Sequence, residues 1–457
     1  MANDNQDIKG MGKLGRRDFL KTGALVAGGL SLASGRAQGK GRPNILLITA
    51  DDLGWKELGC YGNPDIRTPN LDSLAGDGVS FMNAFVTAPS CSASRASMIT
   101  GRASHSVGVH GLTHRHVQYQ MDSDITTLPD VLKGAGYFTG IHGKWHVAAF
   151  KPTELFGYQL RMSIMEIKDS TKAKWFLSAN KDRPFYLELN FMQPHRLGDG
   201  TFKMHPDFPV DPDKITVPDY WCLPDWPSIR EDVAKYYSQT AFMDHMIGDI
   251  LNHLDSLGLS ENTLVVFVSD NGPPYPGCKT TCYDRGIGTP LILRWPDGLP
   301  AGEVRNCLAS TTDIMPTCLE AAGAPVPEVV QGSSLLAPAR NDMPGFREEI
   351  FGEVTYHLLF TPMRAIRTQR YKYIENLNPT PTGLDQNARF EWARKVAELP
   401  GQKCCVPRPP EELFDLDKDP HEQNNLADSS EYAGVKKELV KRLHNWREKT
   451  GDPYPDL

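Results

Sequence analysis

Cys91 lies in PSCSASRASMITGR (Pro89–Arg102), among small hydroxyl residues, with Arg95 four positions further on. On a helix that spacing puts the thiol and the guanidinium on one face. Other groups able to hold metal ions, bind anions or move protons stand directly after short apolar runs. RPNILLITADD ends in Asp51 and Asp52, and NTLVVFVSDNG leads into Asp270 and Asn271. YFTGIHGKWH carries Lys144 and His146, RPFYLELNFMQPH ends in His195, and Lys279 follows Asp270 by nine positions. Three carboxylates and an amide are all oxygen donors, which suit a hard divalent cation such as Ca2+. Taken singly, a strand-end aspartate caps a turn, and a lone lysine or histidine is a surface residue. Two such pairs at matching positions, in a chain that also carries the Cys91 segment, argue for a site. His105, His110, His114 and His142 have no such placement and read as structural.

The runs that precede these groups are continuously apolar, the pattern of parallel strands buried on both faces. Between them lie helical segments. TPNLDSLAGDG offers Thr68 as N-cap, Pro69 at the first helical position and a glycine stop. TLPDVLKGAGY is a second short helix, and from Ser228 to Leu257 apolar residues recur at helical spacing: Ile229, Val233, Tyr236, Phe242, Met246, Ile250 and Leu254. Strands alternating with helices predict an α/β sheet, whose ligands bind at the C-terminal strand ends. After about Arg340 the texture changes. MRAIRTQRYKYIENL alternates like an antiparallel strand, EELFDLDKDPHEQNNLAD reads as polar and turn-rich, and Tyr432–Thr450 reads as an amphipathic helix. The predicted organisation is a leader over 1–40, a catalytic domain over 41–340 and a C-terminal subdomain over 341–457.

The leader rests on GRRDFLK (Gly15–Lys21), the apolar TGALVAGGLSLAS and then GRAQ. This is the pattern of a twin-arginine export signal with a cut near Ala37, implying the twin-arginine machinery as partner and a periplasmic or secreted location. An apolar run of about 13 residues falls short of the ~20 that a membrane span needs, so no stable membrane insertion is expected. A formal net charge of −7 argues against nucleic acid as partner. The nine cysteines show no CxxC pair and no zinc spacing; some could pair after export, and most read as buried thiols.

CSASRASMITGR resembles the signature of the type I sulfatases, Cys-x-Pro/Ala-x-Arg with Thr-Gly further on, through Cys91, Ala93, Arg95, Thr100 and Gly101. GYFTGIHGKWH (Gly136–His146) is similar to the family's second signature, and ADD and SDNG to its metal-binding segments. The resemblance covers Arg42 to the C-terminus. It implies an alkaline-phosphatase-like α/β sandwich: a large, mostly parallel sheet flanked by helices, then a smaller C-terminal domain with an antiparallel sheet and a terminal helix. It implies that a maturation enzyme oxidises Cys91 to formylglycine, whose hydrate offers two geminal hydroxyls. One becomes the nucleophile on sulfur beside a single Ca2+ (or Mg2+) held by Asp51, Asp52, Asp270, Asn271 and residue 91. By the same analogy Arg95 holds the hydrate, and Lys144 and Lys279 hold sulfate oxygens. His195 protonates the leaving atom, and His146 takes the proton of the second hydroxyl. Three aspartates, three cations and one divalent ion sum to a formal charge of +2, an electropositive pocket in an acidic protein.

Within that family the chain looks like the heparan N-sulfatase branch, through SCSASRASMITGR, GEVTYHLLFTPMRAIRTQRYKYIENL and LFDLDKDPHEQNNLAD. The middle segment would bring Glu353, His357 and Arg364 to the pocket mouth as sugar contacts. Lys279 stands where that branch has arginine, and the two cations differ in fork geometry. The expected substrate is a sulfated glycan, with O-sulfate as the alternative to N-sulfate. Two rival classes are weighed against this. A phosphatase or phosphodiesterase of the same superfold keeps Thr or Ser as nucleophile and a further His/Asp set, which this chain lacks. A non-catalytic glycan binder would have lost Cys91, Arg95 or the metal acids.

Overall fold

The computed structural model describes residues 41–113, 119–148, 152–163, 165–378, 390–399 and 408–454. The predicted leader, His114, Cys404 and Cys405 lie outside them. Eight strands form one sheet: β1 (Asn44–Ala50), β2 (Val79–Phe85), β3 (Phe138–Gly143), β4 (Leu160–Arg161), β5 (Phe185–Asn190), β6 (Thr263–Ser269), β7 (Leu291–Arg294) and β8 (Glu303–Ser310). Their order is β4-β3-β5-β1-β6-β7-β2-β8. β1 runs parallel to β5 and β6, β3 to β4 and β5, and β2 to β8, whereas β7 is antiparallel to both neighbours.

The continuous apolar runs fold this way because the sheet is covered on both faces. Every residue of β1, β5 and β6 is buried. Side chains alternate across the pleat. Leu46, Ile48, Val265 and Phe267 join one core, and Ile45, Leu47, Leu264, Val266 and Val268 join the other. The helix Pro227–Ser256 lays Ile229, Val233, Tyr236, Met246, Ile250 and Leu254 on the first core, with Phe242 partly buried beside them. Pro69–Gly76 is helical as its cap and proline predict, but the Thr68 hydroxyl accepts from Gly59 N at 3.0 Å and does not cap the helix. Among the described residues no helix is long and apolar enough to cross a membrane.

A second, four-stranded antiparallel sheet holds β9 (Glu349–Tyr356), β10 (Phe360–Thr368), β11 (Tyr371–Asn376) and β12 (Glu411–Asp415), in the order β12-β11-β10-β9. The helix Ala433–Thr450 packs on it through Leu439 and Leu443. β12 corrects the reading of EELFDLDKD as turn: Leu413 and Phe414 are buried on opposite faces of the sheet, and only the residues after Asp415 turn. The small sheet is tied to the large domain by Asp284, whose carboxylate meets Lys372 Nζ at 2.8 Å and Arg367 Nε at 3.2 Å. Among the described residues none of the seven cysteines is in a disulfide.

Phe267 is fully buried near the end of β6, three residues before Asp270. Phe267→Ala is expected to lower the unfolding free energy by about 3–5 kcal/mol through lost burial and a cavity. Urea unfolding checks this, and a loss below ~1 kcal/mol would contradict the packing described.

Candidate active site

Because β1, β3, β5 and β6 are parallel, their C-terminal ends share one edge of the sheet. Asp51 and Asp52 follow β1, Lys144 follows β3, His195 follows β5 and Asp270 and Asn271 follow β6. Along an extended strand, adjacent side chains point to opposite faces. Asp52 escapes this by a left-handed backbone, φ 68°, a strained conformation for a residue with a Cβ. Both carboxylates thereby join one cluster. The loop is braced from below: Tyr236 Oη donates to the Asp52 carbonyl at 3.0 Å and accepts from Gly54 N at 3.3 Å.

Cys91 is the first residue of the helix Cys91–Thr100, after the extended Ser90, and all ten helical residues are buried. Its Sγ lies 3.5 Å from Asp51 Oδ1 and 3.1 Å from Lys279 Nζ. One turn on, Arg95 grips Asp270 Oδ2 through Nε at 2.9 Å and a terminal nitrogen at 2.8 Å, with Asp51 at 3.9 Å. Lys144 bonds Asp51 Oδ2, and Lys279 bonds Asp52 Oδ1. Asn271 Nδ2 donates to Asp52 Oδ1 at 2.7 Å, and Asp52 N donates to Asp270 Oδ1 at 3.1 Å. His195 Nε2 lies 3.7 Å from Asp52 Oδ2, while its Nδ1 is 2.5 Å from the Arg196 carbonyl. A carbonyl only accepts, so Nδ1 carries the proton and Nε2 is the nitrogen that faces Asp52.

The charges set one another's protonation. Burial alone would raise the pKa of Asp51 and Asp52. Lys144, His195, Arg95 and Lys279 hold Asp51 well below the usual carboxylate range, and Lys279 with His195 hold Asp52 down. Burial and the nearby Asp51 push Asp270 up to about 6, against the pull of Arg95. Burial pushes the Cys91 thiol up to about 12 in spite of both lysines. Surrounded by these protein groups alone it is a protonated thiol, a poor nucleophile at neutral pH. His195 is lowered, its burial outweighing Asp52 and Asp51.

The donor set fits a hard divalent cation. Ligand atoms of Asp51, Asp52, Cys91 and His195 lie within 4.8 Å of one another. Asp52 Oδ2 and Asn271 Oδ1 are buried without a hydrogen-bond partner, as oxygens aimed at a cation would be. The sulfur is the one soft donor in this set.

Nine of the predicted residues thus meet in one network: Asp51, Asp52, Cys91, Arg95, Lys144, His195, Asp270, Asn271 and Lys279. His146 is half-buried beside it; its carbonyl accepts from Thr113 Oγ1 at 3.2 Å, and Thr113 N donates to Ser92 Oγ at 3.2 Å, next to Cys91. Glu353 and Arg364 require correction as residues of the pocket mouth. Arg364 is fully buried and all five of its N–H donors are engaged, by both oxygens of Asp452, the carbonyls of Val354 and Met363 and the Thr355 hydroxyl. Glu353 is 2% exposed and accepts from Ser104 Oγ at 2.9 Å and His105 Nδ1 at 2.6 Å. His357 is buried in the turn between β9 and β10, its N–H on the Leu359 carbonyl. Arg196 and Asp232, which hold the His195 loop, were not singled out by sequence; a single arginine after a histidine has no spacing to betray it.

The sulfatase family model matches residues 43–324, and a model for the C-terminal part of N-sulphoglucosamine sulphohydrolase matches 278–382. N-sulphoglucosamine sulphohydrolase of Homo sapiens is 32% identical, over 91% of this chain and 92% of its own length. An ulvan-active sulfatase of Formosa agariphila is 28% identical over 90% of this chain and 76% of its own. Among solved structures, a protein in complex with its substrate D-glucosamine-2-N,6-O-disulfate superposes with TM-score 0.70 at 23% identity, covering 91% of this chain and 99% of that one.

Glu353 supplies a structural test. Against the counter-effect of burial, His105 and Arg364 hold its carboxyl at about 2, below the ordinary 4.5. A depressed carboxyl stabilises the fold above pH ~4.5, and that contribution fades as pH falls toward 2. Glu353→Gln is expected to cost about 3 kcal/mol at pH 7, and the gap from wild type should narrow below pH 4.5. Chemical unfolding across pH checks it; a gap that widens on acidification would contradict the His105–Glu353 pair.

Proposed function

Because the chain belongs to the sulfatase family and is a sulfuric ester or sulfamate hydrolase, we propose that it removes sulfate from a terminal glucosamine-type residue of a heparan- or heparin-like glycan, N-sulfate preferred. The observation that carries the chemistry is the soft, protonated thiol of Cys91 among oxygen donors suited to a hard cation. Oxidation of Cys91 to formylglycine replaces that sulfur by oxygen and completes a donor set of Asp51, Asp52, Asp270, Asn271 and residue 91 for one Ca2+. When bound, the cation would neutralise charge on sulfate and acidify a neighbouring hydroxyl.

The chain's own groups do the rest. The helix opening at residue 91 turns its N–H groups toward an anion. Lys144 and Lys279 present ammonium groups to sulfate oxygens, and Arg95 fixes Asp270 by one hydrogen bond from Nε and an ion pair from a terminal nitrogen. With its Nδ1 proton on the Arg196 carbonyl, His195 would donate from Nε2 as the imidazolium, the form that Asp52 and Asp51 favour against burial, to the departing nitrogen or oxygen, a transfer typically worth ~10²–10⁴-fold. His146 is the proposed base. The likeness to the human N-sulphoglucosamine sulphohydrolase supports the N-sulfate reading. The ulvan-active relative and Lys279 in place of the branch's arginine favour a second reading, an O-sulfatase on another sulfated glycan. Sugar contacts from Glu353 and Arg364 form no part of the proposal, and His357 stays in it as a sugar contact. It includes a leader over 1–40 exported by the twin-arginine route, a catalytic domain over 41–340, a C-terminal subdomain over 341–457, a formylglycine-generating partner and a periplasmic or secreted location.

Three measurements check these assignments. Mass spectrometry of the peptide bearing residue 91, from the native host, should show loss of sulfur and gain of an aldehyde; a plain cysteine in active enzyme would overturn the chemistry. Asp51→Ala should lose metal and at least ~10³-fold in activity together, and full activity in that variant would refute the metal site. The kcat/KM for glucosamine N-sulfate should exceed those for the 6-O- and 3-O-sulfate isomers, each lost buried contact costing ~1–3 kcal/mol. If an O-sulfated isomer wins by tenfold or more, the second reading replaces the first.

A further inference from the structure

His195 and Lys279 reach Asp52 from different loops, and a single buried side chain ties those loops together. Arg196 is 6% exposed. Its terminal nitrogens meet Asp232 Oδ1 at 3.0 Å and Oδ2 at 2.6 Å, a two-point grip on the helix Pro227–Ser256. Nε donates to the Pro274 carbonyl at 3.4 Å, and one terminal nitrogen donates to the Gly200 carbonyl at 3.3 Å. The guanidinium also lies over three rings, 4.1 Å from the centroid of Phe202, 4.7 Å from Phe390 and 5.1 Å from Tyr275. A planar cation held by a carboxylate, two carbonyls and three rings has no freedom to swing.

What this fixes is the site. The Arg196 carbonyl accepts the Nδ1 proton of His195 at 2.5 Å, so the peptide that Arg196 anchors also selects the tautomer and aims Nε2 at Asp52. Pro274 belongs to the turn that carries Lys279, whose N–H bonds the Pro273 carbonyl at 3.1 Å. One guanidinium therefore sets the His195 ring and the Lys279 ammonium against each other across Asp52.

We propose that Arg196, clamped by Asp232, is a positioning residue that aims the proton-donating edge of His195 and spaces it from Lys279. The proposal rests on the reading of His195 as proton donor. Misplacement of about 1 Å at a reacting centre costs rate steeply, ~10²-fold.

The test uses the matured full chain with wild-type sequence, Arg196→Lys, Asp232→Asn, the peripheral Phe390→Leu and, as reference, His195→Ala. Turnover is measured on glucosamine N-sulfate, whose amine needs a proton to leave, and on 4-nitrophenyl sulfate, whose phenolate does not. Rates are normalised to folded, metal-loaded enzyme. Arg196→Lys and Asp232→Asn are expected to lose ~10²-fold in kcat on the sugar, under ~5-fold on the nitrophenyl ester, with KM within ~3-fold of wild type. His195→Ala should show the same contrast, and Phe390→Leu a weaker version of it. Equal losses on both substrates, or losses that vanish after normalisation, overturn the proposal. If His195→Ala itself shows no contrast, the proton-donor reading falls. The clamp is then judged by crystal structures of Asp232→Asn and Phe390→Leu, where an unmoved His195 ring and Lys279 ammonium in both overturn it.

Discussion

Three carboxylates cannot share a buried space at the ends of β1 and β6 unless positive charge neutralises them. Arg95, Lys144 and Lys279 do so one for one, on Asp270, Asp51 and Asp52. Each ion has left water, and that loss is recovered only where geometry lets the charges meet and the remaining lone pairs find partners. The parallel strands supply the geometry, because their C-terminal ends lie side by side in register. The left-handed turn at Asp52 supplies the second carboxylate on the same side. The buried helix at Cys91 brings in the third element, with Arg95 one turn behind. Removing Lys144 or Lys279 would leave Asp51 or Asp52 only a longer ionic contact, to Arg95 at 3.9 Å or His195 at 3.7 Å, and removing Arg95 would strip Asp270 of its ion pair, so the cluster is interlocked.

The same rule explains the C-terminal sheet. Its buried charges are also matched, but to each other and to the large domain: Arg364 with Asp452, Glu353 with His105, and Asp284 with Arg367 and Lys372. The pairs of Glu353 with His105 and of Asp284 with Arg367 and Lys372 hold the small sheet against the catalytic body, and Arg364 with Asp452 ties it to the end of its own helix. Their residue types match those that contact acidic sugars, which is why the segment reads as a substrate contact until its partners are known. A guanidinium whose five donors are engaged has none left for a ligand.

The site was largely legible in the sequence because each of its parts has a local signature. A continuous apolar run ending in an acid marks a buried strand and its C-terminal end, as at Asp51 and Asp270. The Cys91 helix announces itself by small residues and by the i, i+4 spacing to Arg95. What was illegible is long-range pairing. Glu353 finds His105 across 248 positions, Arg364 finds Asp452 across 88, and Arg196 finds Asp232 across 36. No periodicity encodes such matches. β12 was hidden for another reason: its alternation spans only five residues, flanked by proline, acids and asparagines that dominate the reading.

The burial of the Cys91 helix also has a temporal meaning. The thiol is 2% exposed and its neighbours in the helix are buried with it. A second enzyme working on that side chain would need to reach it. The closed sandwich does not offer it without undoing the strand ends that hold the charge cluster. The oxidation proposed for this cysteine would therefore belong to the interval before the chain closes around it. Under that proposal a molecule that folds first would be locked with sulfur in place, and its competence would be decided by a race between modification and its own collapse.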